Sequence, residues 1–375
     1  MTAQLIPALR RLLFACVLTA GAGQACSHQI LGPSAASLQV GMVGYTSSNP
    51  VIFDNDSVNE SYFDEYFYAL ASQGVIDLRA AITSSAWAEQ GACGGGTINA
   101  DTSQRAHAIA VARATGMRNI PDATAGAGMS LQKPSSGGID DTRPVHANGA
   151  YRIRDEVLAS SPDRPLVIVV GGMGTTVASA YLLAHESGSG QQFADRLIVA
   201  WSIGTPAGDG DYNGWVDPWA AHVVFGRLRV VAYPYDENAF AVVPKSELTK
   251  LPFDPLRQEL INRGNPNGNP GNVESDFMGA VPLTRGDYVR SYDMVSLVDG
   301  PIDCSADGCR RCNENPRFVA GRSGSAKRVT SVAPGVATEE WWRWMSDPAS
   351  YGQTRLGAQG DVLGRGVRPM SGAAR

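Results

Sequence analysis

Short apolar runs alternate along this chain with longer segments whose apolar residues recur every three or four positions. Residues 51–53, 78–82, 120–125, 166–170, 197–201 and 228–233 read as strands. Residues 61–72, 103–115, 150–160, 177–185 and 219–225 read as helices. The strands are near-continuous apolar runs rather than alternating ones, which is the pattern of strands covered on both faces. The fold class that follows is α/β, an open, mostly parallel (mixed) sheet flanked by helices. In such sheets ligands sit beyond the carboxyl ends of the strands. One domain is expected over residues 38–350, preceded by a linker at 32–37 and followed by a Gly- and Arg-rich flexible tail at 351–375. The Asn- and Pro-rich stretch 265–272 reads as a flexible connector, and Glu-Glu-Trp-Trp-Arg-Trp at 339–344 as a packing helix.

Composition narrows the picture. With 375 residues, 43% of them hydrophobic, the chain can bury a large core. A net charge of -5 gives no footing for nucleic acid. At the N-terminus Arg10 and Arg11 precede an apolar run at 12–20 and small residues at 21–25, the pattern of an export signal at 1–25. The mature protein is therefore expected to be periplasmic or secreted. Cys26 allows a second reading, a lipid anchor, ranked lower because Gly23 stands where lipoprotein signals usually carry Leu. An oxidising compartment implies disulfides among Cys93, Cys304, Cys309 and Cys312; a zinc site there lacks both a second spaced pair and a nearby His. Nothing in the chain decides between a monomer and a homo-oligomer.

The chemistry concentrates at strand ends. The strand at 51–53 runs straight into Asp54-Asn55-Asp56, with Glu60, Asp64 and Glu65 close behind. Crowded carboxylates repel unless a cation or a positively charged substrate relieves them, and oxygen-rich clusters suit hard cations. The plainer alternative is a solvated turn with acids at a helix N-terminus, which would make Asp64 a solvated helix acid. Three more polar strand ends follow: the glycine turn Gly171-Gly-Met-Gly-Thr175-Thr176, the segment Asp211-Tyr-Asn213 through Asp217-Pro-Trp-Ala-Ala221, and Ser291-Tyr292-Asp293. A dinucleotide reading of the glycine turn is weak, because the third glycine and the acid ending the next strand are both missing.

In order and content these segments resemble the inosine-uridine-preferring nucleoside hydrolase family, over roughly residues 50–300. The family's strand-D-x-D-P-G-x-D-D-helix compares with Asp54-Asn-Asp56-Ser-Val-Asn-Glu60-Ser61, and its G-P-L-T-N turn with Gly172-Met-Gly-Thr175-Thr176. Its E-F-N-x-x-x-D-P-x-A-A compares with residues 211–221, and its H-D before an apolar helix with Tyr292-Asp293. The resemblance implies cleavage of the N-glycosidic bond of ribonucleosides by a Ca²⁺-activated water. It assigns Asp56 as base and metal ligand, with Asp54, the Thr175 carbonyl and Asp293 completing the metal site. Glu60, Asp211, Asn213 and Tyr292 fall at its substrate-binding positions.

The departures are specific. Ser61 stands at a second metal-binding Asp, Ser57 and Val58 replace Pro-Gly, and Gly174 and Thr176 replace the Leu and Asn of the turn. Tyr292 replaces the His that assists the leaving base in many members. Trp87, Trp201 and Trp215 are candidates to stack on a base, though tryptophans so placed are more often core. The main reading is an exported, Ca²⁺-dependent nucleoside hydrolase-like enzyme. A ribose- or nucleoside-binding protein without turnover on the same scaffold is the alternative, and a structural envelope protein the third.

Overall fold

The computed structural model describes residues 42–56, 58, 62–84, 97–206, 208, 212–236, 239–252, 255–263, 271–274, 276–299, 316–320 and 324–353. The export segment, the linker, all six cysteines, Glu60, Trp87 and Asp211 lie outside these residues.

A nine-stranded sheet organises the chain, in the order β10-β9-β11-β6-β5-β4-β1-β2-β3. The parallel body comprises β1 (Pro50–Asn55), β2 (Asp77–Thr83), β3 (Ala123–Ala125), β4 (Leu166–Val170), β5 (Leu197–Ser202) and β6 (Arg229–Tyr233). Between them lie α1 (Phe63–Ser72), α2 (Ile98–Ala114), α3 (Asn148–Ala159), α4 (Thr175–Glu186), α5 (Gly190–Asp195), α6 (Tyr212–Val216) and α7 (Pro218–Arg227). The six strands and α1, α2, α3, α4 and α7 fall where the apolar pattern puts them, with ends shifted by a few residues, while the short α5 and α6 are not announced by it.

Successive strand residues serve opposite faces, and the core divides accordingly. Val51, Phe53, Val167, Val169 and Ala200 point into one apolar cluster with α1 and α2. Ile52, Ile168, Val170, Val199 and Trp201 point into the other with α3, α4 and α7. Both faces are buried, which is why these strands carry no polar alternation.

Beyond residue 233 the apolar pattern marks out no strand by its bounds, and the last third adds several. A small antiparallel pair, β7 (Ala241–Pro244) and β8 (Gly271–Glu274), lies apart from the main sheet, with α8 (Leu256–Asn262) between them in sequence. Thus Gly271 and Asn272 of the expected connector belong to a strand. A ribbon of β9 (Val289–Asp299), β10 (Pro316–Ala320) and β11 (Ala326–Val332) then extends the sheet. Here β11 pairs parallel to β6 and antiparallel to β9. The tryptophan-rich segment forms α9 (Val336–Met345), as expected of a packing helix; Trp341 is fully buried and its indole N–H donates to the Tyr62 carbonyl at 3.1 Å. Tyr351, placed in the tail by sequence, is instead buried in the core, and its hydroxyl donates to the Met345 carbonyl at 2.8 Å.

Candidate functional site

The strand order fixes where a ligand can enter. From β1 the chain moves outward through β2 and β3, then returns to β4 on the other side of β1 and moves outward again through β5 and β6. The switch lies between β1 and β4, and the crevice of such a sheet opens at the carboxyl ends of those two strands. Asp54, Asn55 and Asp56 end β1, and the glycine turn 171–174 ends β4.

Glycines let these segments meet. A Cβ on Gly172 would lie 2.9 Å from the Asp56 Cβ and 3.1 Å from its backbone nitrogen. One on Gly171 would lie 2.5 Å from the Asn55 Oδ1 and 2.7 Å from the Asp276 Cβ. Asp56 and Asp276 thus stand against neighbouring residues of one turn. Asp276 opens a short 3-10 helix followed by a buried apolar run through Leu283, so it fits an acid before an apolar helix better than Asp293 does. Sequence reasoning missed it; the signal was Asp276 directly followed by Phe277-Met278-Gly-Ala-Val281.

Asp54 is fully buried one residue inside the strand. Its Oδ1 accepts from the Ser84 hydroxyl at 2.6 Å, and Ser84 Oγ lies 2.5 Å from Thr176 Oγ1. The other carboxylate oxygen, Oδ2, is buried without a hydrogen-bond partner. Burial pushes this carboxyl up to about 6, against the opposing pull of the Ser84 hydrogen bond and the Arg105 charge.

Asn213, at the start of α6, donates through Nδ2 to the carbonyls of Gly171 at 3.1 Å and Ser202 at 2.8 Å. Both amide hydrogens are thereby used, and Oδ1 is the acceptor it can present to a ligand hydroxyl. Trp201 is fully buried with its indole N–H donating to the Gly172 carbonyl at 2.8 Å, so it braces the turn and does not stack on a base.

Thr175 is the first residue of α4, and its hydroxyl donates to Asp217 at 2.6 Å. Two expectations are corrected. Tyr292 and Asp293 lie on β9, five strand spacings from β1, or roughly 24 Å at the usual interstrand distance. Tyr292 is exposed with Lys327 Nζ 4.9 Å from its ring centre, and Asp293 faces Arg328 at 3.7 Å. The D-D-helix pair is also displaced: α1 begins at Phe63, which puts Asp64 and Glu65 in its first turn and makes them the pair that opens the helix, rather than Glu60-Ser61.

Nor is Asp64 solvated. Every residue of α1 except Ser72 is buried, and the two acids have buried partners. Arg105 Nε donates to Asp64 Oδ2 at 2.7 Å, and Arg263 Nη2 to Glu65 Oε1 at 2.7 Å. Sequence held a signal for this: a helix aromatic on all sides, Phe-Asp-Glu-Tyr-Phe-Tyr, has no wet face on which to leave a carboxylate.

These placements bear on Ca²⁺. Of the donors expected, only Asp54 and Asp56 stand together, and Asp54 offers a single free oxygen. Among the described residues no three Asp, Glu, His or Cys side chains gather closely enough to hold a metal ion. The expected set of cation ligands is thus not assembled among the described residues.

Comparison with solved structures gives the class. The inosine-uridine preferring nucleoside hydrolase from Bacillus anthracis matches with a TM-score of 0.52 at 13% identity, covering 80% of this chain and 99% of that one. An inosine-guanosine nucleoside hydrolase matches with a TM-score of 0.54 at 13% identity, covering 82% of this chain and 99% of that one. No family model and no curated protein sequence matches. The chain has a nucleoside hydrolase-like fold.

Proposed function

We propose that the crevice between β1 and β4 binds the sugar of a ribonucleoside or a related N-riboside, and that Asp56 directs a water against its anomeric carbon. The observation that carries this reading is the position of Asp56, at the end of β1 and packed on Gly172 at the switch point, in a fold shared with two nucleoside hydrolases. In the reaction a bond forms between the water oxygen and C1′ while the C1′–N bond breaks. Asp56 takes the water's proton, and the departing base leaves with the bonding electron pair. Positive charge develops on the sugar in the transition state. Asp54 beneath Asp56 and Asp276 beside it place negative charge near that point. Asn213 Oδ1 is the acceptor for a sugar hydroxyl. No step is assigned to a metal.

A second reading, riboside binding without turnover, is favoured by the position of Tyr292, which is far from the crevice and protonates nothing there. The experiment that separates the two follows base release from a panel of ribonucleosides, with calorimetric binding of the same panel. Base release that disappears in Asp56→Asn supports the hydrolase. Binding without release supports the second reading, and neither binding nor release rejects the site.

A further inference from the structure

The acids behind β1 need counter-charge, and the fold supplies it from the chain itself. Arg105 reaches from α2 to the underside of the strand ends, where its side chain is fully buried. Its Nε donates to Asp64 Oδ2 at 2.7 Å. Its Nη1 lies 2.9 Å from the Asn55 carbonyl, 3.0 Å from the Ile82 carbonyl and 2.5 Å from Thr83 Oγ1. A carboxylate, two carbonyls and a hydroxyl from α1, β1 and β2 thus surround one positive group. That is the kind of oxygen shell a hard cation collects. Arg263, 4% exposed, closes the other side, donating to Glu65 Oε1 at 2.7 Å and to the Val58 carbonyl at 3.3 Å.

We propose that the guanidinium groups of Arg105 and Arg263 take the place of a divalent cation, so that the acid cluster behind β1 is neutralised by the chain itself and requires no metal. Arg105 acts as a positioning residue: by holding the Asn55 carbonyl it sets the backbone from which Asp56 projects. A guanidinium keeps its charge across the whole working pH range and cannot be chelated away, so the neutralisation is permanent where that of a bound ion depends on concentration. Arg263 lies far along the chain from Asp64 and Glu65, yet its charge reaches both. This inference rests on the acid cluster and is independent of what the crevice binds.

Calcium titration of the full-length protein tests it, by calorimetry and by thermal melting with and without EDTA. The wild type is expected to show no binding heat and an unchanged Tm. Arg105→Ala leaves Asp64 and the surrounding oxygens without their cation; its Tm is expected to fall and to recover in part with millimolar Ca²⁺. Arg105→Lys keeps a charge and should not respond to Ca²⁺. Adding Asp64→Asn to Arg105→Ala should abolish the recovery. One Ca²⁺ bound per wild-type chain, with a Tm rise of about 5 °C at saturating metal, would overturn the proposal. So would an Arg105→Ala protein that folds and ignores Ca²⁺. Should Arg105→Ala fail to fold, the wild-type titration alone decides. A wild type that ignores both Ca²⁺ and every riboside leaves this proposal standing and removes the reading of the crevice.

Discussion

The Thr175 hydroxyl donates to Asp217 Oδ2 at 2.6 Å, joining the turn after β4 to the N-terminus of α7. Asp217 also accepts from the Leu131 N–H at 2.8 Å and, through Oδ1, from the Ala220 N–H at 2.9 Å as the cap of α7. The carboxylate is fully buried, so each of these bonds lies out of water. Asp217→Ala removes a helix cap and strands two buried donors; a loss of about 3–5 kcal/mol is expected. Denaturant unfolding measures it. Asp217→Asn retains one acceptor oxygen and should lose less; equal losses in the two variants would show that the hydrogen bonds are not the cause.

Asp56 and Asp64 are expected to fail in different ways. Asp56→Asn should lower riboside turnover by at least ~10²-fold, the scale for losing a positioned base, while leaving the melting curve in place. Asp64→Asn breaks a buried ion pair with Arg105 and should lower stability by roughly 3 kcal/mol. Parallel rate and melting measurements on the two variants test this, and a silent Asp64→Asn would contradict the buried pairing.

Asp54 gives stability a pH dependence of definite sign. Burial raises its folded-state pKa from the ordinary 3.8 to about 6. Between those values the folded protein binds a proton that the unfolded chain does not, so the contribution is full below 3.8 and is lost as pH rises through 6. A two-unit shift corresponds to about 3 kcal/mol. The stability difference between wild type and Asp54→Asn should therefore move in favour of the variant between about pH 4 and about pH 8. A difference that stays flat over that range would mean that Asp54 is not held in its buried, raised state.

Gly172→Ala is the steric test of the crevice. Its Cβ would press on the backbone nitrogen and Cβ of Asp56, atoms that cannot swing aside. A cost of about 1–3 kcal/mol is expected, together with loss of riboside binding. Calorimetric titration of the folded variant checks it; full affinity in Gly172→Ala would place the ligand elsewhere.

Much of this was legible in the sequence, for a physical reason. Strands buried on both faces are written as unbroken apolar runs, so 166–170 and 197–201 could be read to the residue or nearly so, and the acids ending 51–53 stood out against them. The β9–β11 ribbon was not legible because its residues alternate in character, and Tyr292-Asp293 before an apolar run looks the same on a strand as at a helix start. Asp276 was hidden by the shortness of the 3-10 turn it opens. Arg105 and Arg263 carry no local signature at all. Their partners lie 41 and 198 positions away, and only the folded chain names them.

The arrangement of α1 has a consequence for how the protein is made. Its aromatic surface is covered from far downstream: Glu65 by Arg263, the Tyr62 carbonyl by the Trp341 indole, and the same cluster by Tyr351. A ribosome emits α1 long before any of these. Until they have emerged, part of the helix's aromatic surface has no cover and Glu65 no counter-charge. The crevice is therefore a product of the finished polypeptide. A nascent chain holds every residue of the β1–β4 switch and still has no site, and a translation product stopped anywhere short of α9 should be recognised by chaperones and proteases as unfinished.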